Sequence, residues 1–200
     1  MKTVTYVLIV VALIVGGYFF ITHSIDNPVN EQEGQWATKT DQEIGFQFEY
    51  RDEPNGYLLT DLNWDASTQL PDPRFVKGYQ LILKSDYESY AQIEGAHEGP
   101  PNITVAVFEN QFNQSASMWV DANPIFSQIQ VARTEPDRDA VVGGTNAMRY
   151  LADGLYLNDV VIVAHGGRIY MFSGAYLEEG SQIQRDFQPF LDSAKFVPTI

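Results

Sequence analysis

The chain contains no cysteine. That excludes disulfides, thiolate metal sites, cysteine nucleophiles and a lipidated cysteine anchor together. A domain of this size does not require disulfides, because its apolar core can be large enough alone. Basic residues are scarce as well. Twelve Lys and Arg stand against 26 Asp and Glu, leaving a net charge of −14. Such a surface repels phosphate backbones and anionic lipid headgroups, which argues against a nucleic-acid partner. It attracts cations or basic protein surfaces, although solubility alone is the plainer reason for the acidity. Phosphate-binding loops of the G-x-x-x-x-G-K-[ST] and G-x-G-x-x-G types are missing, as is a G-x-S-x-G nucleophile elbow. Only three histidines are present. His23 borders a hydrophobic run, and His165 precedes Gly166-Gly167 and reads as a turn residue.

What the chain does have is apolar material. It is 44% hydrophobic over 200 residues, with three Trp, 11 Tyr and 12 Phe. One compact domain is the expectation for that length. Residues 4–21, from Val4 to Ile21, form an unbroken apolar run after Lys2. Roughly 20 residues of helix span the hydrocarbon core of a bilayer, so a signal anchor over residues 1–22 is expected. A cleaved signal peptide, giving a secreted protein, is the alternative. Its apolar region is usually shorter and ends in small residues, whereas this run ends in Tyr18-Phe19-Phe20-Ile21. Lys2 lies on one flank and Asp26, Glu31 and Glu33 on the other, which places the N-terminus in the cytoplasm and the rest outside the membrane. Residues 23–37 are polar, carry Pro28 and Gly34, and read as a tether. The globular domain is expected over 38–200.

Within that domain, period-two alternation over Ile44–Tyr50 predicts a strand. A turn over Asp52–Gly56 leads to a second strand, Tyr57–Thr60. Long loops are expected over 63–77 and 85–101, with a strand at Tyr79–Lys84 between them. Ile103–Phe108 reads as a strand buried on both faces. Asn113–Ala122 predicts a helix capped by Ser115 or Ser117, with Met118, Trp119 and Ala122 on its inner side, ended by Asn123-Pro124. A meander follows, with turns at Gly143-Gly144, Asp153-Gly154 and Gly166-Gly167. The last helix has capping-box spacing at Ser181 and Gln184 and an apolar stripe of Ile183, Phe187, Phe190, Leu191 and Ala194. Pro189 predicts a kink or break in it. The fold class is therefore α+β, a layered domain with a mainly antiparallel sheet.

Several pieces in this order resemble one family. They are Ile44-Gly45-Phe46-Gln47-Phe48, Ile103-Thr104-Val105-Ala106-Val107-Phe108, and Met118-Trp119-Val120 before Asn123-Pro124. Val142-Gly143-Gly144, Gly167-Arg168-Ile169-Tyr170-Met171-Phe172 and the closing Phe190-Leu191-Asp192-Ser193-Ala194-Lys195-Phe196 complete the set. Over roughly residues 40–197 the chain is similar to PsbP-like proteins. That resemblance implies an α/β/α sandwich around an antiparallel sheet, and a role in binding or assembly rather than catalysis. The chain departs from the photosynthetic members in its hydrophobic run, its Arg51–Tyr57 turn and an acidic loop before His97. It looks more like membrane-anchored bacterial relatives.

The expected function is a membrane-anchored extracytoplasmic module that docks another envelope protein, with no enzymatic activity and no cofactor. A cation-binding accessory protein is the first alternative. Glu94, His97 and Glu98 could hold a divalent cation, because imidazole flanked by carboxylates is a ligand set. Asp137 and Asp139 alternate with Arg138 and could share Ca²⁺, but the later Gly and Glu of an EF-hand loop are missing, so a solvated loop is expected there. An unrecognised hydrolase is the second alternative; Ser173 sits in a strand-like setting unsuited to a nucleophile.

Overall fold

The computed structural model describes residues 35–63, 74–93 and 98–199. The expected anchor, most of the tether, Glu94 and His97 lie outside the described residues. Among the described residues no helix is long and apolar enough to cross a membrane.

Ten strands and three helices follow one another among the described residues. The order is β1 (Trp36–Asp41), β2 (Phe46–Arg51), β3 (Tyr57–Asp61), β4 (Phe75–Leu83), α1 (Lys84–Tyr90) and β5 (Asn102–Glu109). Then come α2 (Ala116–Ala122), β6 (Asp137–Val142), β7 (Thr145–Asp153), β8 (Leu157–His165), β9 (Arg168–Tyr176), α3 (Gln182–Ser193) and β10 (Lys195–Phe196). Seven strands make one sheet in the order β3-β4-β5-β9-β8-β7-β6, and β1, β2 and β10 make a second. Every strand pair is antiparallel. The α+β class and the large antiparallel sheet agree with the sequence reading.

The hairpins β6–β7 and β8–β9 are closed by Gly143-Gly144 and Gly166-Gly167. All four glycines have positive φ, between 55° and 76°. Two successive left-handed residues twist the chain as the flanking strands require, and Val142 then pairs with Thr145 and His165 with Arg168. His165 is thus the last residue of a strand rather than part of the turn. Its ring stacks on Phe196 at 4.1 Å.

At the centre, β5 and β9 are buried on both faces: Ile103, Val105 and Val107 point one way and Ala106 and Phe108 the other. On the first face the sheet packs against Phe46 and Phe48 of β2 and against Ile183, Phe187, Phe190 and Leu191 of α3. The expected stripe of α3 is therefore its buried face. This outer layer combines a helix with the small sheet. On the second face Ala106, Phe108, Tyr150, Ile162 and Met171 pack under Trp119 and Val120 of α2. Burying side chains of this size stabilises the fold by about 1.5–3 kcal/mol each.

Several local readings are corrected. β4 begins at Phe75, inside the expected loop, and α1 occupies part of the other one. α1 buries none of its residues, so it carries no apolar stripe for sequence to display. Residues 137–142 are an edge strand rather than a solvated loop. An edge strand with one covered side needs little apolar patterning, and charges there also deter pairing with other chains. α2 starts only at Ala116, with Ser115 as its cap, accepting from Met118 N at 3.2 Å. Its inner residues are Trp119 and Val120; Met118 and Ala122 face outward. α3 runs unbroken through Pro189. Pro189 and Arg185 are both exposed, so the carbonyl that loses its donor is open to water.

Gly174 marks a close approach of α3 to the sheet. A Cβ there would lie 2.8 Å from Phe187 Cγ. Gly174→Ala is expected to destabilise the domain by about 1–3 kcal/mol through overpacking, read as a lower urea midpoint with an unchanged m-value.

Candidate functional site: a neutral groove on the half-covered sheet face

The second face of the large sheet changes character along its strands. Under α2 it is apolar. Toward the other end the same face presents Asn102 and Thr104 from β5, Ser173 from β9, Asn158 from β8 and Gln80 from β4. Strand register places Gln80 opposite Thr104 and Thr104 opposite Ser173, so hydroxyls and a carboxamide lie in one row. Past α2, Asn123 fixes the chain by donating to Trp119 O at 2.7 Å and accepting from Arg74 at 2.7 Å. The Tyr150 hydroxyl donates to Ser127 O at 2.5 Å. Gln128 takes a left-handed φ of 61°, and a single turn of 3-10 helix follows at Ile129–Val131. Between this segment and the turn joining β7 to β8 lies an open groove of about 510 Å³.

The floor is a local hydrogen-bond network. Thr104 Oγ1 donates to Asn102 Oδ1 at 2.6 Å, and Asn102 Nδ2 donates to Pro100 O at 3.0 Å. Ser173 Oγ donates to Asn158 Oδ1 at 3.2 Å, and Asn158 Nδ2 donates to Tyr156 O at 2.9 Å. Each hydroxyl keeps lone pairs, and each of these two amides keeps one N–H, beyond the bonds already made. The Tyr156 hydroxyl donates to Gly99 O at 2.8 Å. Burial raises its pKa to about 12, helped by Tyr90 and by the charge of Glu98. The rim is aliphatic: Ile125 is 63% exposed, Leu155 62% and Val131 45%. None of the described residues lining the groove is charged, in a chain of net charge −14.

Of the residues singled out in the sequence, Ser173 lies on the groove floor, Glu98, Asp137 and Asp139 do not line it, and Glu94 and His97 lie outside the described residues. Glu98 is exposed before β5. Asp137 and Asp139 lie on β6, where Asp137 Oδ1 accepts the Asp139 N–H at 2.9 Å. Asp137 pairs in register with Arg149, so the cation beside it is a guanidinium. Among the described residues no group of three His, Asp or Glu is placed to hold a metal ion. Ser173 has an amide oxygen as its hydrogen-bond partner. The other polar residues of the groove floor were missed. The available signal was polar alternation: Asn102 and Thr104 in a β-branched strand, Ser173 in an apolar one, Gln80 between Tyr79 and Leu81.

No protein-family model matches the chain, and no curated protein does. Among solved structures, the solution structure of cyanobacterial PsbP (CyanoP) from Synechocystis sp. PCC 6803 is similar, with a TM-score of 0.49 and 12% identity. The match covers 82% of this chain and 93% of that one. It falls in the same family that the sequence resembles.

Charged side chains gather instead on the α3 face, where they tie elements together. Asp41, at the end of β1, accepts from the Tyr79 hydroxyl and lies 2.8 Å from Lys77 Nζ. Its other oxygen accepts from the Glu43 and Ile44 amides. Asp186 of α3 accepts from Tyr57 at 3.1 Å and lies 3.5 Å from Arg51. Burial, then the Asp186 charge, raises the Tyr57 pKa well above the usual phenol range. Arg149 holds Asp159 through both carboxylate oxygens and also donates to Gln188 of α3 at 2.6 Å.

For Asp41, burial pushes the carboxyl up. Hydrogen bonds from Lys77, Tyr79 and the Ile44 amide, with the Lys77 charge, outweigh it and bring the pKa from 3.8 to about 2. A depressed carboxyl pKa contributes stability that is full above the unfolded value and is lost as the pH falls through the folded one. Urea midpoints of the native chain should therefore fall between pH 3.8 and about 2. Asp41→Asn should be less stable at neutral pH and show a smaller acid-dependent fall; an equal fall in both would refute the assignment.

Proposed function

We propose that this chain is a membrane-tethered binding module that docks another extracytoplasmic protein, and that the groove beside α2 is its docking surface. The observation that carries this reading is the pairing of an exposed aliphatic rim with an uncharged hydrogen-bonding floor. An apolar concavity with a few convergent polar groups is the usual form of a binding site. The role is binding without catalysis. Ser173 donates to Asn158 Oδ1, an amide oxygen that cannot act as a general base, which supports a binding role for its hydroxyl. The anchor is the apolar run 4–21, with Lys2 on the cytoplasmic side, and the tether is the polar stretch 23–37.

The test is site-specific photocrosslinking in intact cells with the full chain. A photoreactive residue at Ile125 or Leu155 is expected to give a discrete adduct with one envelope protein. The same residue at Val141, exposed on β6, is expected to give none. Leu155→Asp should reduce the Ile125 adduct severalfold by placing an unpaired charge on the apolar rim. Equal labelling at all three positions, or none at the groove, would remove the groove as the docking surface.

A further inference from the structure

The groove's own chemistry narrows what can occupy it. A charged ligand group would lose hydration there and find no countercharge among the described lining residues. A metal ion would find no carboxylate or imidazole among them. The described lining therefore fits a neutral occupant that uses both donors and acceptors, as the floor offers both. Polypeptide backbone and sugar are two such classes. Sugars are usually held on exposed aromatic faces. Here the most exposed rim side chains are Ile125, Leu155 and Val131, which match apolar side chains better.

Gln80 supplies the second argument. Its carboxamide makes no hydrogen bond to any described residue, although it lies half-buried on the floor, in line with Thr104 and Ser173. A carboxamide has an acceptor and donors side by side, which match the N–H and C=O of a peptide backbone. The floor crosses β4, β5, β9 and β8. Three strand spacings of about 4.8 Å give roughly 14 Å, enough for about four extended residues at about 3.3 Å each.

We infer that the groove holds an extended, uncharged polypeptide segment with apolar side chains, whose backbone is read by the Gln80 carboxamide. This rests on the docking reading above. The segment's main chain bonds to Gln80 and to the free N–H groups of Asn102 and Asn158, while alternate side chains lie against Ile125 and Leu155.

The experiment pans a random-peptide phage library on the full chain in mild detergent, then measures selected peptides by fluorescence anisotropy. Selected sequences are expected to share a run of about four uncharged residues with alternating apolar positions. Gln80→Leu and Leu155→Ser should each weaken binding about tenfold, with unchanged circular dichroism, while Val141→Ser should not. Leu155 is on the exposed rim, so that variant keeps the test open even if Gln80→Leu unfolds. The inference fails if the selected peptides carry charged cores, if neither substitution weakens them, or if maltohexaose displaces them. Adducts at Ile125 and Leu155 without any groove-dependent peptide would overturn this inference and leave docking through a folded partner surface standing. Loss of both would remove the docking reading too.

Discussion

The pairing of β5 with β9 holds the domain together. Before it, β3, β4 and β5 are one antiparallel set; after it, β6 to β9 are another. Joined, they place two apolar strands at the centre of the sheet with side chains directed to both faces. Such strands are stable only if both faces are covered. α3 and the small sheet cover one face, with Phe46, Phe48, Phe187 and Phe190 filling the space. Among the described residues, the other face is covered by α2 and the segment after it. α2 has seven residues, about 10 Å of helix, whereas β9 has nine, about 30 Å of strand. A helix that short cannot cover the strand's length.

The polar floor follows from that shortfall. Where the cover ends, Asn102, Thr104, Asn158 and Ser173 replace apolar residues and satisfy one another. On the opposite side Asp41, Asp186 and Asp159 each meet a cation. Removing one partner of such a pair costs more than the pair contributes, because it leaves a partly buried charge alone. One face of the sheet is thus tied by ion pairs, and on the other the described groove lining carries no charge.

The sequence showed those elements with a strong apolar pattern. β2 could be read from its alternation, β5 from its β-branched run, β8 and β9 from the apolar runs that flank Gly166-Gly167, and α3 from its stripe and its Ser181 cap, which accepts from Gln184 N at 3.4 Å. α1 and β6 were missed for the same reason: α1 buries nothing, and β6 is mostly exposed. The small sheet was invisible because Phe46 and Phe196 meet across nearly the whole domain sequence, and no local pattern reports so distant a pairing. The groove was harder still. Its residues come from four strands and three segments outside them, and each floor residue alone looks like an ordinary polar substitution in a strand. Only the register brings Gln80, Thr104 and Ser173 into one row.

The pairing of β2 with β10 has a consequence for how the chain reaches this state. β2 is an early strand, yet on the side away from β1 its partner is residues 195–196, and Phe46 also rests on Phe172, Tyr170 and Phe196. During synthesis β2 therefore emerges long before most of the surfaces that bury it. Contacts this far apart in sequence slow folding, because the intervening chain must be ordered before they form. Until then Phe46 and Phe48 belong to an unfinished layer. The nascent chain carries an exposed aromatic strand for most of its translation, so its vulnerability to aggregation is set by the last turn of α3 and the residues just beyond it.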